Sequence, residues 1–205
     1  MMPATQDMVT TMKHAIARED IMDIEVYGRE RPERRKRLTE VKRNRRLEVG
    51  PFATFYFESF ETMLHQIHEM LYIEKGGEEQ IADELAAYNP LIPNGSELVA
   101  TVMFEIDEPV RRATALAKLG GVEETVTIKI GDQVVKGVPE ADIDRTTAAG
   151  KASAVQFIHF PFTKEAIAAF REPGAQVLVG FDHPQYGHMA VMPEAVRAAL
   201  AEDFD

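Results

Sequence analysis

The sequence contains no cysteine and no tryptophan among its 205 residues. Without cysteine the chain forms no disulfide, offers no thiolate to a metal and has neither a thiol nucleophile nor a redox-active thiol. Thiolate ligation of an iron–sulfur cluster by this chain is excluded for the same reason. Apolar residues make up 45% of the chain, an ordinary share for a protein that folds around a hydrophobic core.

Long hydrophobic runs are also missing. The longest apolar stretch lies around Leu98 to Phe104 and is far shorter than the ~20 residues that cross a bilayer. The first seventeen residues include Asp7, Lys13 and His14 and show no apolar core of a signal peptide. We therefore expect a soluble cytoplasmic protein that does not associate with membranes.

Several common catalytic signatures are absent. The sequence has no Gly-rich phosphate-binding loop, no Gly-x-Gly-x-x-Gly, no Gly-x-Ser-x-Gly and no His-Glu-x-x-His. Six histidines and many carboxylates remain as the groups that could carry chemistry.

Charge is distributed unevenly along the chain. The formal net charge is −11, yet the 19 residues from Gly28 to Arg46 hold ten Lys or Arg against three Glu. That segment carries +7, which leaves −18 for the other 186 residues. An acidic body repels a polyanion, so nucleic-acid binding is disfavoured and docking onto the chain's own body or onto a protein partner is favoured. The candidate partner- or anion-binding residues are Arg31, Arg34, Arg35, Arg43 and Arg46.

Hydrophobic periodicity and turn residues predict an α+β fold in which N-terminal helices precede a mainly antiparallel β-sheet with short interspersed helices. Residues 1–16 are predicted to form a flexible N-terminal tail, and residues 17–205 a single α+β domain. The predicted helices are Asp20–Tyr27, Pro32–Arg46, Phe60–Glu74, Glu78–Tyr88, Val110–Leu119, Lys164–Phe170 and one that starts at Pro193. The predicted strands are Phe52–Phe57, Glu97–Ile106, Val126–Ile130, Gln133–Val138, Ala152–Phe162 and Val177–Phe181.

The helix Phe60–Glu74 carries one candidate metal site. Glu61, His65, His68 and Tyr72 are spaced 4, 3 and 4 residues apart and share one stripe of the helix. Two imidazoles and a carboxylate could hold Fe, Mn or Zn if another element supplied further ligands. The alternative is the polar edge of an amphipathic helix, with Glu61 and His65 as a simple i,i+4 pair.

A second candidate is the segment Asp182 to His188, which follows a predicted buried strand. Asp182 could orient an imidazole, and His183 and His188 could act as ligands or as an acid–base pair. His159, on the predicted strand Ala152–Phe162, could join them in a three-imidazole site. The alternative is a structural turn in which Asp182 caps backbone N–H groups and Tyr186 packs inward.

Several strings, taken in order, resemble an uncharacterised bacterial family, domain of unknown function 3501, over about residues 17–200. These strings are Tyr27…Arg31-Pro32…Arg35, Lys42-Arg43…Arg46…Gly50-Pro51, Phe57-Glu58, Gln66-Ile67-His68-Glu69-Met70-Leu71, Ala87-Tyr88-Asn89-Pro90-Leu91-Ile92-Pro93, Lys118-Leu119-Gly120-Gly121, Ser153-Ala154-Val155 and Asp182-His183-Pro184-Gln185-Tyr186.

The resemblance implies a context rather than a reaction. Genes of this family are grouped with a rubrerythrin-like peroxidase and a cysteine-rich iron–sulfur oxidoreductase, which implies an accessory role in a redox or peroxide-handling pathway. Only Asp182, His183 and Tyr186 fall within a matching string of suitable chemistry. The family favours Gln where this chain has His68 and does not require His188, which weakens the multi-histidine hypotheses.

Three hypotheses follow for function. The first is an accessory protein that binds a redox partner through the Arg-rich helix and the Asp182–Tyr186 segment, either alone or as a homo-oligomer. The second is a metal-binding protein or metalloenzyme that uses the histidines. The third is nucleic-acid or nucleotide binding through the Arg-rich helix, for which a steep loss of affinity with salt is the signature.

Overall fold

The computed structural model describes residues 13–140 and 151–205. Residues 1–12 of the predicted tail lie outside this range, and residues 13–16 lie within it. Ile16 is buried at 3% exposure, and its backbone N–H donates to the side-chain oxygen of Asn89 over 2.7 Å. The packed part of the chain therefore begins before the predicted boundary at residue 17.

Six α-helices and nine strands lie within the described ranges. The helices are α1 (Ile24–Arg43), α2 (Phe60–Glu74), α3 (Gly77–Tyr88), α4 (Pro109–Leu116), α5 (Lys164–Arg171) and α6 (Glu194–Ala201). The strands are β1 (Arg46–Val49), β2 (Ala53–Phe57), β3 (Glu97–Phe104), β4 (Val126–Ile130), β5 (Gln133–Lys136), β6 (Val138–Pro139), β7 (Val155–Pro161), β8 (Val177–His183) and β9 (Tyr186–Val191). None of the described helices combines the length and the apolar character that crossing a bilayer requires.

The strands form two antiparallel sheets. The first sheet has the order β1-β2-β3-β7-β6 and the second has the order β5-β4-β8-β9. With helices preceding and interspersed among antiparallel strands, the predicted α+β class is confirmed.

The main core lies between the two sheets. Alternating residues of each strand point inward, as the pleat requires, so that Phe55 of β2 packs against Phe181 of β8 with ring centroids 5.3 Å apart. The opposite face of the first sheet is covered by α2 and α3, where Val99 of β3 packs with Ile67 and Ile81 in a second cluster. This arrangement fixes α2 on the sheet, and α2 in turn supports α1.

The structure has one continuous helix, α1, where the sequence pattern predicted two, Asp20–Tyr27 and Pro32–Arg46. Asp23 caps its first turn by accepting the N–H groups of Glu25 and Val26, each over 3.0 Å, and the helix then continues through Pro32. Proline favours the first turn of a helix and is unfavourable in the interior, because it has no N–H to donate there, so the sequence pattern placed a helix start at Pro32. Tyr27 and Leu38, buried on either side of Pro32, anchor the helix against the body of the protein.

Three strands were not predicted. The predicted strand Gln133–Val138 is divided into β5 and β6, and β6 pairs with β7 in the first sheet. The helix ends at Arg43, and Arg46–Val49 is β1, whose residues are alternately exposed and buried. Strand β9 was missed because the segment Asp182–His188 forms the β8–β9 hairpin around a two-residue turn at Pro184 and Gln185. Tyr186 packs inward there, as the structural-turn alternative expected.

Candidate functional site

The contact between α1 and α2 gathers a set of interacting ionisable side chains, among them Tyr27, Arg31, His65 and Glu69. Tyr27 of α1 is fully buried and its ring stacks on His68 of α2, with centroids 4.9 Å apart and planes inclined by 12°. Residue 28 is glycine at this contact, and a Cβ there would lie 2.8 Å from the ring of Tyr72. A small residue therefore lets the two helices approach closely.

Glu69 is the centre of this contact. Arg31 donates to its two carboxylate oxygens over 2.7 and 2.8 Å, and the Tyr27 hydroxyl donates to the same group over 2.5 Å. The guanidinium of Arg31 also lies 5.0 Å from the centroid of the Tyr72 ring. One carboxylate on α2 thus holds two side chains of α1, one turn apart.

These contacts shift the ionisation of the groups involved. The Arg31 hydrogen bond is the main cause that lowers the pKa of Glu69 to about 2, and the Tyr27 hydroxyl and the charge of Arg31 add to it. Burial, followed by the hydrogen bond to Glu69, raises the pKa of Tyr27. Groups with shifted pKa values beside a groove mark a candidate functional site, although ion pairs with a purely structural role produce the same shifts.

A groove of about 750 Å³ runs beside this contact between α1 and α2. Leu38, Phe60 and Leu64 give it an apolar floor, together with Tyr27 and His68. Its charged rim consists of Arg29, Glu30, Glu33, Arg34, Arg37 and Glu61. The signs of the rim charges balance, so the groove itself has no strong preference for an anion or a cation.

His68 has a structural role at this contact. The backbone N–H of Met22 donates to its Nε2 atom over 3.1 Å, and its Nδ1–H donates to the carbonyl of Leu64 over 2.8 Å. Both ring nitrogens are therefore occupied. Burial lowers the pKa of His68, which agrees with a neutral imidazole in this position.

His65 makes fewer hydrogen bonds than His68. Its Nδ1 atom lies 3.4 Å from the Tyr27 hydroxyl. Burial is the main cause that lowers its pKa, and the cations Lys42, Arg35 and Arg31 add to the effect against the opposing charge of Glu69. Glu61, the third member of the predicted helical site, pairs with Arg37 over 3.1 Å. The predicted stripe on α2 therefore faces α1.

The predicted three-imidazole site is not assembled. His159 lies on β7, where Nδ1 is 3.1 Å from Glu97 and Nε2 is 3.7 Å from Glu140, so its two carboxylates flank opposite sides of the ring. His183 lies at the end of β8, and its Nε2–H donates to the carbonyl of Gly120 over 3.2 Å. His188 lies on β9 beside the turn that joins β1 to β2. Within residues 13–140 and 151–205, no group of three or more His, Asp or Glu side chains could hold a metal ion.

The Asp182–His188 segment instead builds a corner of the fold. The Tyr186 hydroxyl donates to the carbonyl of Val49 over 2.8 Å and accepts the N–H of Ala53 over 3.0 Å, which ties β9 to the β1–β2 turn. His188 packs edge-on to Tyr186, with ring centroids 4.6 Å apart. Gly50 allows this closeness, since its φ is +72° and a Cβ there would lie 2.7 Å from the ring of His188.

His183 and Asp182 flank the turn of this segment on the β8 side. The Nδ1 atom of His183 accepts the N–H of Gln185 over 3.2 Å, so both of its ring nitrogens are occupied. Asp182 is exposed and opposes Gly187 across the hairpin. The strings Gly50-Pro51, Lys118-Leu119-Gly120-Gly121 and Asp182–Tyr186 thus meet at one corner, where their contacts are structural.

The predicted basic residues divide into paired and unpaired sets. Arg31 binds Glu69, as described above. Arg34 pairs with Glu30 over 2.9 Å, Arg43 with Glu40 over 3.3 Å, and Arg46, which lies on β1, with Glu48 over 2.7 Å. Arg35 makes no ion pair within the described ranges, and the same holds for Arg29, Lys36 and Lys42. Only part of the Arg-rich helix is therefore neutralised by its own chain.

Two features escaped sequence reasoning. Glu69 stands 38 residues from Arg31, and no local pattern links them, although the i,i+4 spacing of Tyr27 and Arg31 could have suggested a common partner. Arg45 is buried and donates to the carbonyl of Glu58 over 2.7 Å and to Asp203 over 3.1 Å, close to the C-terminal end of α6. Within a run of ten basic residues, nothing in the sequence distinguishes the buried one.

Comparisons with known proteins agree on the family. The family model described as "Protein of unknown function (DUF3501)" matches residues 15–204. A crystal structure of a novel protein of unknown function from Burkholderia pseudomallei K96243 is 36% identical to this chain, with a TM-score of 0.86. The match covers 93% of this chain and 100% of the other. No curated protein matches. The chain therefore belongs to the DUF3501 family, as the order of its sequence strings indicated.

Proposed function

We propose that this protein is an accessory protein that binds an acidic surface of a protein partner through the basic face of α1. The basic face is defined by the exposed cations of α1 that make no ion pair in the described ranges, which are Arg29, Arg35, Lys36 and Lys42. The single observation that carries the proposal is that these four charges are unpaired although the rest of the chain is strongly acidic.

The geometry of α1 supports this use. Arg29 and Lys36 are seven residues apart, as are Arg35 and Lys42, so each pair lies on one side of the helix about 10 Å apart. The Glu69 contact and the buried Tyr27 hold the helix in place, which lowers the entropy lost when a partner binds. Exposed cations of this kind raise the rate of association with an acidic surface more than they raise the final affinity.

The chemistry of the partner follows from the family context. A rubrerythrin-like peroxidase or a cysteine-rich iron–sulfur oxidoreductase is the partner that we propose, with a role in a redox or peroxide-handling pathway. This chain has no thiol, so the electron-carrying groups would belong to the partner.

The proposal is tested by measuring the binding of the purified chain to each of these two proteins from the same organism. We expect binding at low salt, and an affinity that falls at least tenfold when the ionic strength rises from about 50 to about 300 mM, because exposed charges are screened within ~10 Å. Reversing two charges in the Arg35→Glu/Lys42→Glu variant should weaken the low-salt affinity by a similar factor.

The matched control is the Arg111→Glu/Lys118→Glu variant, which makes the same change in net charge on and just after α4. Both of its residues are exposed. The control should bind as the parent chain does. No binding of either partner at low salt, or an equal loss in both variants, would contradict the proposal.

The other two hypotheses stay predictions. Metal binding has less support in the geometry, because both ring nitrogens of His68 and of His183 are occupied by the chain's own groups. Elemental analysis of tag-free protein purified without chelator tests it. Nucleotide binding would use the same basic face, and a shallow dependence on salt would exclude phosphate contacts.

A further inference from the structure

We propose that the groove between α1 and α2 binds a neutral small molecule with an apolar ring and one N–H or O–H donor, and that His65 accepts the hydrogen bond from this donor. Three features of the groove carry the inference. The tautomer of His65 is fixed, its acceptor atom has no partner in the described ranges, and an apolar floor lies within a rim of balanced charges. None of these features depends on the protein partner proposed for α1.

The hydrogen bonds around Tyr27 assign the tautomer of His65. The hydroxyl of Tyr27 has one hydrogen, which it donates to Glu69 over 2.5 Å. The pKa of Glu69 is about 2, so its carboxylate is ionised at neutral pH and can only accept. The Tyr27 oxygen, 3.4 Å from Nδ1 of His65, therefore accepts the Nδ1–H of the imidazole. A neutral imidazole with its hydrogen on Nδ1 presents Nε2 as an acceptor.

The Nε2 atom of His65 is available to a ligand. Among the residues that the structure describes, the contact of Nδ1 with Tyr27 is the only hydrogen bond of this side chain. His65 lines the groove, and its Nε2 is not one of the atoms sealed inside the protein without a partner. Burial is the main cause that lowers the pKa of His65, so the ring is neutral at pH 7 and Nε2 keeps its lone pair.

The floor of the groove suits an apolar ring. Leu38, Phe60 and Leu64 line it, and the last two are partly exposed. The volume of about 750 Å³ lies within the ~300–1,000 Å³ of small-molecule sites. In such sites apolar contact gives most of the affinity, and a few placed polar groups fix the orientation of the ligand. His65 is the group that would fix it here.

The charges on the rim favour an uncharged ligand. Two of the three arginines on this rim, Arg34 and Arg37, are paired with glutamates of the same rim over 2.9 and 3.1 Å. The third, Arg29, is offset in sign by the remaining glutamate, Glu33. An ionised ligand therefore gains no net attraction from the rim, and it would lose hydration on entering the groove.

Indole is the probe that these features select. Its bicyclic ring is apolar and uncharged, and its single N–H donates but does not accept. The compound 1-methylindole has the same ring without the donor and is the matched control ligand. The chain has no tryptophan, so the fluorescence of either compound is measured against a low protein background.

Fluorescence titration of the full chain with both compounds tests the proposal. We expect indole to bind with a dissociation constant below about 1 mM, and 1-methylindole to bind about five- to tenfold more weakly, because its methyl group leaves Nε2 without a donor. In the His65→Phe variant, which keeps an aromatic ring but no acceptor, the two compounds should bind equally. Leu64→Ser changes the floor alone and should weaken both compounds by a similar factor.

The matched control is His188→Phe, which makes the same change at an exposed histidine of β9 outside the groove and should leave both constants unchanged. No binding of indole up to about 5 mM overturns the proposal. So does equal binding of the two compounds to the parent chain, or a preference for indole that survives in His65→Phe. The comparison of the two compounds on the parent chain does not depend on any variant folding. None of these titrations contains a protein partner, so their outcome is separate from that of the proposed function.

Discussion

Glu69 shows how one carboxylate can set the position of a helix. It is 15% exposed and binds Arg31 through both oxygens, with Tyr27 as a third contact. The pKa of Glu69 falls from 4.5 to about 2 because its charged form is the one that receives these hydrogen bonds. A carboxylate with a lowered pKa in the folded state stabilises the fold above its unfolded pKa, and this contribution is lost as the pH falls.

We therefore predict that Glu69→Gln lowers the free energy of unfolding by about 2 kcal/mol at pH 7. The difference from the parent chain should shrink as the pH falls from about 4.5 to about 2, because the unfolded chain takes up a proton at Glu69 below about 4.5 whereas the folded chain does so only near 2. Urea denaturation at several pH values measures it. Glu79→Gln, an exposed change on α3, is the control and should have little effect at any pH. A difference that does not vary with pH would contradict the assigned role.

At the scale of elements, the β8–β9 hairpin holds the first sheet to the second. Tyr186 is 2% exposed. Its hydroxyl donates to the carbonyl of Val49 and accepts the N–H of Ala53, at either end of the β1–β2 turn. Burial raises the pKa of this hydroxyl, so it stays protonated and donates. The contact joins an edge strand of one sheet to an edge strand of the other.

Removing this hydroxyl in Tyr186→Phe should lower the free energy of unfolding by about 1–3 kcal/mol, because the buried carbonyl and N–H of the turn lose their partner. Chemical denaturation followed by circular dichroism measures the change. Tyr56→Phe is the matched control, since its hydroxyl contacts Glu105 near the surface. Equal losses in the two variants would mean that the corner adds no special stability.

The sequence predicts an element correctly where its hydrophobic residues recur with a strong helical or strand period. Helix α2 has the predicted limits, Phe60 to Glu74, because its apolar side recurs at helical spacing and Ser59 caps it. Strand β9 was missed because it is an edge strand with only Tyr186 buried, so no alternation reveals it. The candidate site was found only in part, because the partners of His65 and His68 lie on α1 and just before it, about forty residues away in the sequence.

At the scale of the whole molecule, the buried pair of Arg45 and Asp203 joins the start of the first sheet to the C-terminal region. Arg45 is 7% exposed and Asp203 is 4% exposed. Arg45 also donates to the carbonyls of Phe57 and Glu58, over 3.0 and 2.7 Å, so each of its three nitrogens has a partner. A buried ion pair adds little over apolar packing, but breaking one leaves a charge without compensation.

We predict that Arg45→Met lowers the free energy of unfolding by about 3–5 kcal/mol, because Asp203 is left buried without its cation. The double variant Arg45→Met/Asp203→Leu should lose less than the two single variants together. Guanidinium denaturation of the full set measures the coupling. Arg46→Met, which changes the exposed neighbour, serves as the control and should cost under about 1 kcal/mol. Additive losses in the double variant would contradict the coupling.

The same long-range contacts bear on how the protein is made in the cell. The Tyr186 hydroxyl and Val49 are separated by 137 residues, and Arg45 and Asp203 by 158. Strand β1 therefore emerges from the ribosome long before the residues that complete its surroundings exist. Contacts of such sequence separation slow folding, and partly built sheets with open edges are prone to aggregate. Until the C-terminal residues have been synthesised, the strand edges of the partly built first sheet stay open to pairing with other nascent chains.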